Sequence, residues 1–182
     1  MKQEKWDNYF MRIAKEVSSN SKCLSRKIGA VLVKDKAIIS TGYNGPARGV
    51  SHCGERGRWF YDRLNGISRS LATGPDHKLM SCPRRVFGYP SGKGLHLCQA
   101  GHAERNALIQ AARNGISTLG TTLYCYCGQV CKDCAIEIVN AGVSTLVFLK
   151  FDKNYDDYSE HILNESGIEI RRIDAEKGKE RE

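Results

Sequence analysis

The chain has 182 residues, 41% of them hydrophobic and 26% charged, which is the size and composition of one domain with a sizeable core and excludes a wholly disordered chain. No apolar run approaches the ~20 residues that cross a bilayer, which excludes a transmembrane helix. Twenty-eight Lys and Arg against twenty Asp and Glu leave +8, a balance that favours an anionic partner such as phosphate, nucleotide or nucleic acid.

The start, Met1-Lys2-Gln3-Glu4-Lys5, is polar and lacks an apolar h-region, so no secretory signal is expected and the expected location is the cytoplasm. Trp6 to about Asn20 reads as a helix, with Phe10, Ile13, Ala14 and Val17 at helical spacing. Ile28 to Val33 and Ala37 to Thr41 read as a hairpin around the polar turn Lys34-Asp35-Lys36. Gly42 to Pro46 closes it with a loop.

Residues 51–100 differ in character. They hold three of the four prolines, seven of the eighteen glycines and a net charge of +5. They read as a basic, loop-rich insertion with one short helix near Trp59 to Leu64. A loop that long inside a domain needs a staple or a function. Regular pattern then resumes. Helices are expected over Ala103 to Arg113, Cys131 to Asn140 and Tyr155 to Ser166. Strands are expected over Thr121 to Tyr126, Thr145 to Leu149 and Ile168 to Ile173. Alternation of this kind gives a layered α/β sheet with right-handed crossovers. Residues 1–174 are expected to form one domain, and the charged end, 175–182, to fray.

Eight cysteines in a chain without an export signal read as reduced thiols, with metal binding ahead of disulfides. The chemistry concentrates in His102-Ala103-Glu104 and, downstream, Cys131-Lys132-Asp133-Cys134. Two cysteines three apart at a helix start face one side of a turn, where the helix N-terminus favours thiolate. With His102 they make three ligands and leave a fourth position vacant, the pattern of a catalytic zinc. Two thiolates and an imidazole cancel the charge of Zn²⁺ and weaken it as a Lewis acid. Helix N-termini aimed at the site would offset part of that donation. Glu104 is then the general base and later the acid. His102 and Glu104 are two apart, so both reach one metal only if His102 sits at the helix cap. The alternative is a closed structural knuckle with Glu104 an ordinary surface charge.

These residues carry a resemblance. Ser21-Lys22-Cys23, Arg26, Ile28-Gly29-Ala30-Val31, Ser40 to Gly45, His52-Cys53 and His102 to Ala107 together resemble the zinc-dependent deoxycytidylate (dCMP) deaminases of the cytidine/deoxycytidylate deaminase superfamily. Val130 stands where the signature has proline, Pro46 is displaced by one position, and residues 54–95 match less well. The resemblance implies a three-layer α/β/α sandwich around a mixed five-stranded sheet. It implies hydrolysis of dCMP to dUMP and ammonia, with zinc-activated water attacking C4 and Glu104 moving the protons, supplying dUMP for thymidylate synthesis. It further implies that Asn44 touches sugar or phosphate, that Arg26 binds the 5′-phosphate, and that Phe151 stands where relatives often have tyrosine. Arg48 and the insertion's arginines stand behind Arg26 as phosphate candidates.

Some relatives carry a second, structural zinc. Cys23 and Cys53 match its positions, and Cys82 and Cys98 would complete a closed four-cysteine site, with His52, His77 or His96 as substitutes. Such a site would staple the insertion to the core. Cys125 and Cys127, on the third strand, read as packing residues, and His161 as a surface residue. The resemblance implies a homo-oligomer such as a hexamer, with dCTP and dTTP as effectors, and Gln110 with Arg113 offer a regulatory surface. Two rivals stay open: a deaminase acting on a base in RNA or single-stranded DNA, which the basic insertion would suit, and a non-catalytic zinc module that binds nucleic acid.

Overall fold

Asp35 and Lys36 take left-handed backbone, φ 48° and 63°. A two-residue turn of that hand matches the twist of a hairpin, and it joins β1 (Gly29–Lys34) to β2 (Ala37–Tyr43). The computed structural model describes residues 2–53, 82–86, 88–90, 93–150 and 156–174. Its remaining elements are α1 (Lys2–Ser19), the short α2 (Pro83–Val86), a 3₁₀ turn (Leu95–Leu97), α3 (Ala103–Arg113), β3 (Thr122–Cys125), α4 (Lys132–Asn140), β4 (Thr145–Leu149), α5 (Asp157–Glu165) and β5 (Glu169–Ile173).

The strands form one mixed sheet in the order β2-β1-β3-β4-β5. β1 pairs antiparallel with both β2 and β3, whereas β3, β4 and β5 run parallel. The β1–β2 register shifts by one between Leu32 and Val33, which leaves Ile39 of β2 as the extra residue of a bulge. Side chains alternate across the sheet and divide the core in two. Val31, Val33, Tyr124, Val147 and Leu149 face Phe10, Met11 and Ala14 of α1. Ala30, Leu32, Leu123, Cys125, Leu146 and Phe148 face Ala103, Ala107, Cys134, Ile138 and Leu163 of α3, α4 and α5. β4 is buried along its whole length, as a parallel strand covered on both faces must be. The three-layer α/β/α sandwich with a mixed five-stranded sheet is the observed architecture.

Two glycines set how closely the helix layers approach. A Cβ on Gly29 would strike the Ala14 carbonyl and Ser18 amide of α1, and one on Gly42 would strike the Ala103 carbonyl and Ala107 amide of α3.

Boundaries differ from expectation by a few residues. α1 starts at Lys2 instead of Trp6, because its first turn needs no apolar face. α4 and α5 start one and two residues later than expected, since Cys131 and Asp156 are extended caps. The helix expected near Trp59 to Leu64, His77, Phe151 and the tail 175–182 lie outside the described residues. Among the described residues, no helix is long and apolar enough to cross a membrane.

Candidate active site

Two helix starts meet at the site. His102 is the N-cap of α3, with extended backbone (φ −72°, ψ 154°), and Cys131 is the N-cap of α4 (φ −80°, ψ 165°). Neither side chain caps its own helix; both turn to one point instead. His102 Nδ1 lies 3.3 Å from Cys134 Sγ and 3.4 Å from Cys131 Sγ. Because His102 is not yet helical, the helical spacing does not force it away from Glu104.

Each cap is held from outside its helix. Gly101, just before His102, bridges Gly45 through a pair of backbone hydrogen bonds of 2.8 and 3.1 Å. Asn106 Nδ2 donates to the Tyr43 carbonyl at 2.8 Å. At α4, the Asp156 carboxylate accepts from the Lys132 amide at 2.8 Å while its other oxygen caps α5 through the Ser159 amide. Gln129 pairs with the Asp156 backbone. Arg105 and Glu137 form a two-pronged bridge between α3 and α4, both contacts 2.7 Å. That pair is partly exposed, so it orients the helices more than it stabilises them.

His102, Cys131 and Cys134 present donor atoms all within 4.8 Å of one another. A tetrahedral zinc with ordinary Zn–N and Zn–S bonds holds N and S about 3.5 Å apart, so the 3.3 and 3.4 Å separations fit that ion. The soft donor set fits it too. Glu104 is 4% exposed, and its Oε2 is buried without a hydrogen-bond partner among the described residues. Burial pushes its carboxyl above the usual range. The Cys131 thiol is drawn down to about 4, first by a hydrogen bond with Cys134 and, against burial, by one with His102. Cys134 moves up in turn, because it holds the proton the pair shares.

The site opens into a cleft. Its wall includes Glu104, His102, Cys131, Asn44, Arg26 and Arg84. Asn44 is buried, and its amide is committed: Oδ1 accepts from the Ile28 amide and Nδ2 donates to the Arg26 carbonyl, both at 2.9 Å. Its φ is not positive. It thus shapes the loop carrying Arg26, with one N–H and one lone pair left for the cleft. Arg26 itself is exposed. Arg48, by contrast, bonds Gln110 Oε1 at 2.9 Å and is not on that wall.

Cys23 and Cys98 border the cleft, Cys82 is buried beside α2, and Cys53 is half-buried. Among the described residues, the four do not gather into a set of three donors within ligating reach. Cys125 and Cys127 are buried, as packing residues are, with sulfurs 3.1 Å apart. They also stand with the Glu104 carboxylate in a second three-donor group, and Cys127 reaches the cleft wall. Arg84, Gln129 and Asp156 were not singled out by the sequence. Arg84 was one of several insertion arginines, and Asp156 is recognisable in retrospect as an acidic residue one position before a helix.

A family model for the cytidine and deoxycytidylate deaminase zinc-binding region matches residues 4–150. The chain is 38% identical over 171 residues to the deoxycytidylate deaminase of Enterobacteria phage T4, covering 88% of this chain and 86% of that one. It is 33% identical over 168 residues to the deoxycytidylate deaminase of Saccharomyces cerevisiae, covering 92% of this chain and 45% of that one. The Schizosaccharomyces pombe deoxycytidylate deaminase is 31% identical over 167 residues, with coverages of 91% and 43%. The chain thus spans less than half the length of these two yeast relatives. The crystal structure of dCMP deaminase from the cyanophage S-TIM5 in apo form superposes with a TM-score of 0.61 at 23% identity, covering 92% of this chain and 96% of that one, a likeness of fold.

Proposed function

The chain belongs to the cytidine and deoxycytidylate deaminase zinc-binding family, and from that premise we propose that it hydrolyses dCMP to dUMP and ammonia. The observation that carries the reading is the buried, unpartnered Glu104 Oε2 in the same cleft as the His102, Cys131 and Cys134 donor group. A structural knuckle gives no reason to bury a carboxylate oxygen without a partner, because that costs free energy unless a ligand or water supplies the missing bond.

His102 Nδ1 and the sulfurs of Cys131 and Cys134 would hold the zinc, which when bound would supply Lewis acidity that lowers the pKa of water. Glu104 takes the proton of the attacking water at Oε2 and delivers it to N3 of the pyrimidine. It then takes the remaining proton from the hydroxyl added at C4 and passes it to the C4 amino group, so that the C4–N bond breaks as ammonia leaves and C4 keeps the new oxygen as a carbonyl. One residue thus serves as base and acid in turn. Arg26, placed by Asn44, meets the 5′-phosphate at the cleft rim, and Asn44 has donor and acceptor capacity left for the sugar. Phe151, a substrate contact by the family resemblance alone, lies outside the described residues.

The reading takes residues 1–174 as one deaminase domain with 51–100 as its insertion, working in the cytoplasm. It includes a homo-oligomer responsive to dCTP and dTTP. The dCMP and dUMP bound in the cyanophage S-TIM5 dCMP deaminase crystal structure, which shares this fold, support the substrate class. The test is ammonia release by the zinc-loaded protein from dCMP, dCTP, CMP, deoxycytidine and a single-stranded oligonucleotide. Turnover of dCMP ahead of the others is expected. Turnover of the oligonucleotide alone, or of nothing, would overturn the reading.

A further inference from the structure

Arg84 is a buried arginine with, among the described residues, no carboxylate beside it. Its residue is only 8% exposed, yet the side chain lines the same cleft as His102, Glu104 and Arg26. Two backbone carbonyls hold it: Nε donates to Lys93 at 2.6 Å and Nη2 to Pro90 at 3.1 Å. These bonds fasten one edge of the guanidinium and leave three of its five N–H donors uncommitted. Among the described residues, neither Arg84 nor Arg26 has a carboxylate within ion-pair distance.

Burying a charge is costly unless an opposite charge and further hydrogen bonds accompany it. Carbonyl oxygens supply the second kind of partner and not the first. An anion that enters the cleft would supply the missing partner. A pre-oriented guanidinium suits a planar or tetrahedral oxyanion, because two of its N–H groups reach two oxygens at once. The strongest anion on a nucleoside monophosphate is its 5′-phosphate.

We propose that Arg84, delivered into the cleft by the basic insertion, is a specificity-determining residue that binds the 5′-phosphate together with Arg26 and so selects nucleotides over nucleosides. This inference rests on the proposed deamination of dCMP. It gives the insertion a role in recognition, since α2 and the carbonyls of Pro90 and Lys93 present one rigid cation to the substrate. Arg26, exposed on the wall of the same cleft, supplies the second cation.

The test compares binding of dUMP and deoxyuridine to the zinc-loaded protein by calorimetry, for wild type, Arg84→Gln and Arg84→Lys. Arg84→Gln is expected to weaken dUMP by about 30-fold and deoxyuridine by no more than about twofold, as loss of charge-assisted bonds to phosphate alone would. Arg84→Lys keeps the charge without the fork and is expected to weaken dUMP by about fivefold. Equal weakening of both ligands, or no loss for dUMP, overturns the proposal. If Arg84→Gln fails to fold, because its carbonyl contacts are lost, the lysine variant decides by the same ratio. Wild-type protein that releases no ammonia from dCMP defeats the reading of the activity. Wild-type turnover with an unaltered dUMP-to-deoxyuridine ratio in the variants defeats only the role of Arg84.

Discussion

Two carboxylates are buried on opposite faces of the same sheet, and they are treated in opposite ways. On the α1 face, Asp7 is 3% exposed and saturated with partners. It accepts from Gln3 Nε2, Tyr124 Oη and Arg171 Nη2 at 3.0, 2.9 and 3.1 Å. Arg171 Nε stands 3.1 Å from its other oxygen, an ion pair at an angle that falls short of a hydrogen bond. On the other face, Glu104 is 4% exposed and keeps one oxygen without a hydrogen-bond partner among the described residues. Tyr124 and Cys125 are neighbours on β3, one serving each cluster. A satisfied buried carboxylate ties elements together, here α1, β3 and β5. One left short marks a position that the fold holds open for chemistry.

The largest effects should come from the open cluster. Cys131→Ser is expected to remove one zinc per chain by metal analysis and to bring ammonia release to background; full retention of zinc would show that Cys131 is not a ligand. Glu104→Gln should lower kcat for dCMP by at least about 10³-fold, with zinc content and melting temperature kept. Near-normal turnover would mean that the orphaned oxygen has another purpose.

The saturated cluster should answer in stability. Asp7→Ala leaves the Arg171 charge and the Tyr124 hydroxyl without their partner and is expected to cost about 3 kcal/mol in urea unfolding, with kcat of the folded fraction changed by less than about threefold. A large loss of kcat at full stability would erase the contrast between the faces.

The smallest effects sharpen the comparison through the glycines. Gly42→Ala pushes on α3 at Ala103, beside Glu104, while Gly29→Ala pushes on α1. Each is expected to cost about 1–3 kcal/mol of stability, as overpacking does. Only Gly42→Ala should also lower kcat, by about tenfold, because a displacement beside the proposed catalytic carboxylate of Glu104 would disturb near-attack geometry. Equal kcat values for the two variants would show that the α3 position tolerates the shift.

Elements with a local signal were legible in the sequence. The hairpin around Asp35 and Lys36, the α3 span Ala103–Arg113 and the buried strand Thr145–Leu149 are of this kind, because turn chemistry and apolar periodicity act within a few residues. The donor group able to hold a metal was legible for the same reason: His-x-Glu and Cys-x-x-Cys are local patterns with a chemical meaning. What stayed hidden was the use of polar groups by distant backbone. Asn44 looked like a substrate contact, and the fold spends most of its amide on Arg26 and Ile28. The four remaining cysteines looked like one site, and counting them could not say whether their sulfurs meet.

By itself the sequence determined which residue types could grip a soft metal and move protons, and which segments would be helix or strand, because spacing along the chain sets which side chains share a turn or a face. Only the tertiary structure decided that residue 102 meets residues 131 and 134 and that Arg84 enters their cleft. It also decided that Asp7 is saturated where Glu104 is not. Those outcomes depend on strand order and helix docking, where partners more than a dozen residues apart in sequence leave no local trace.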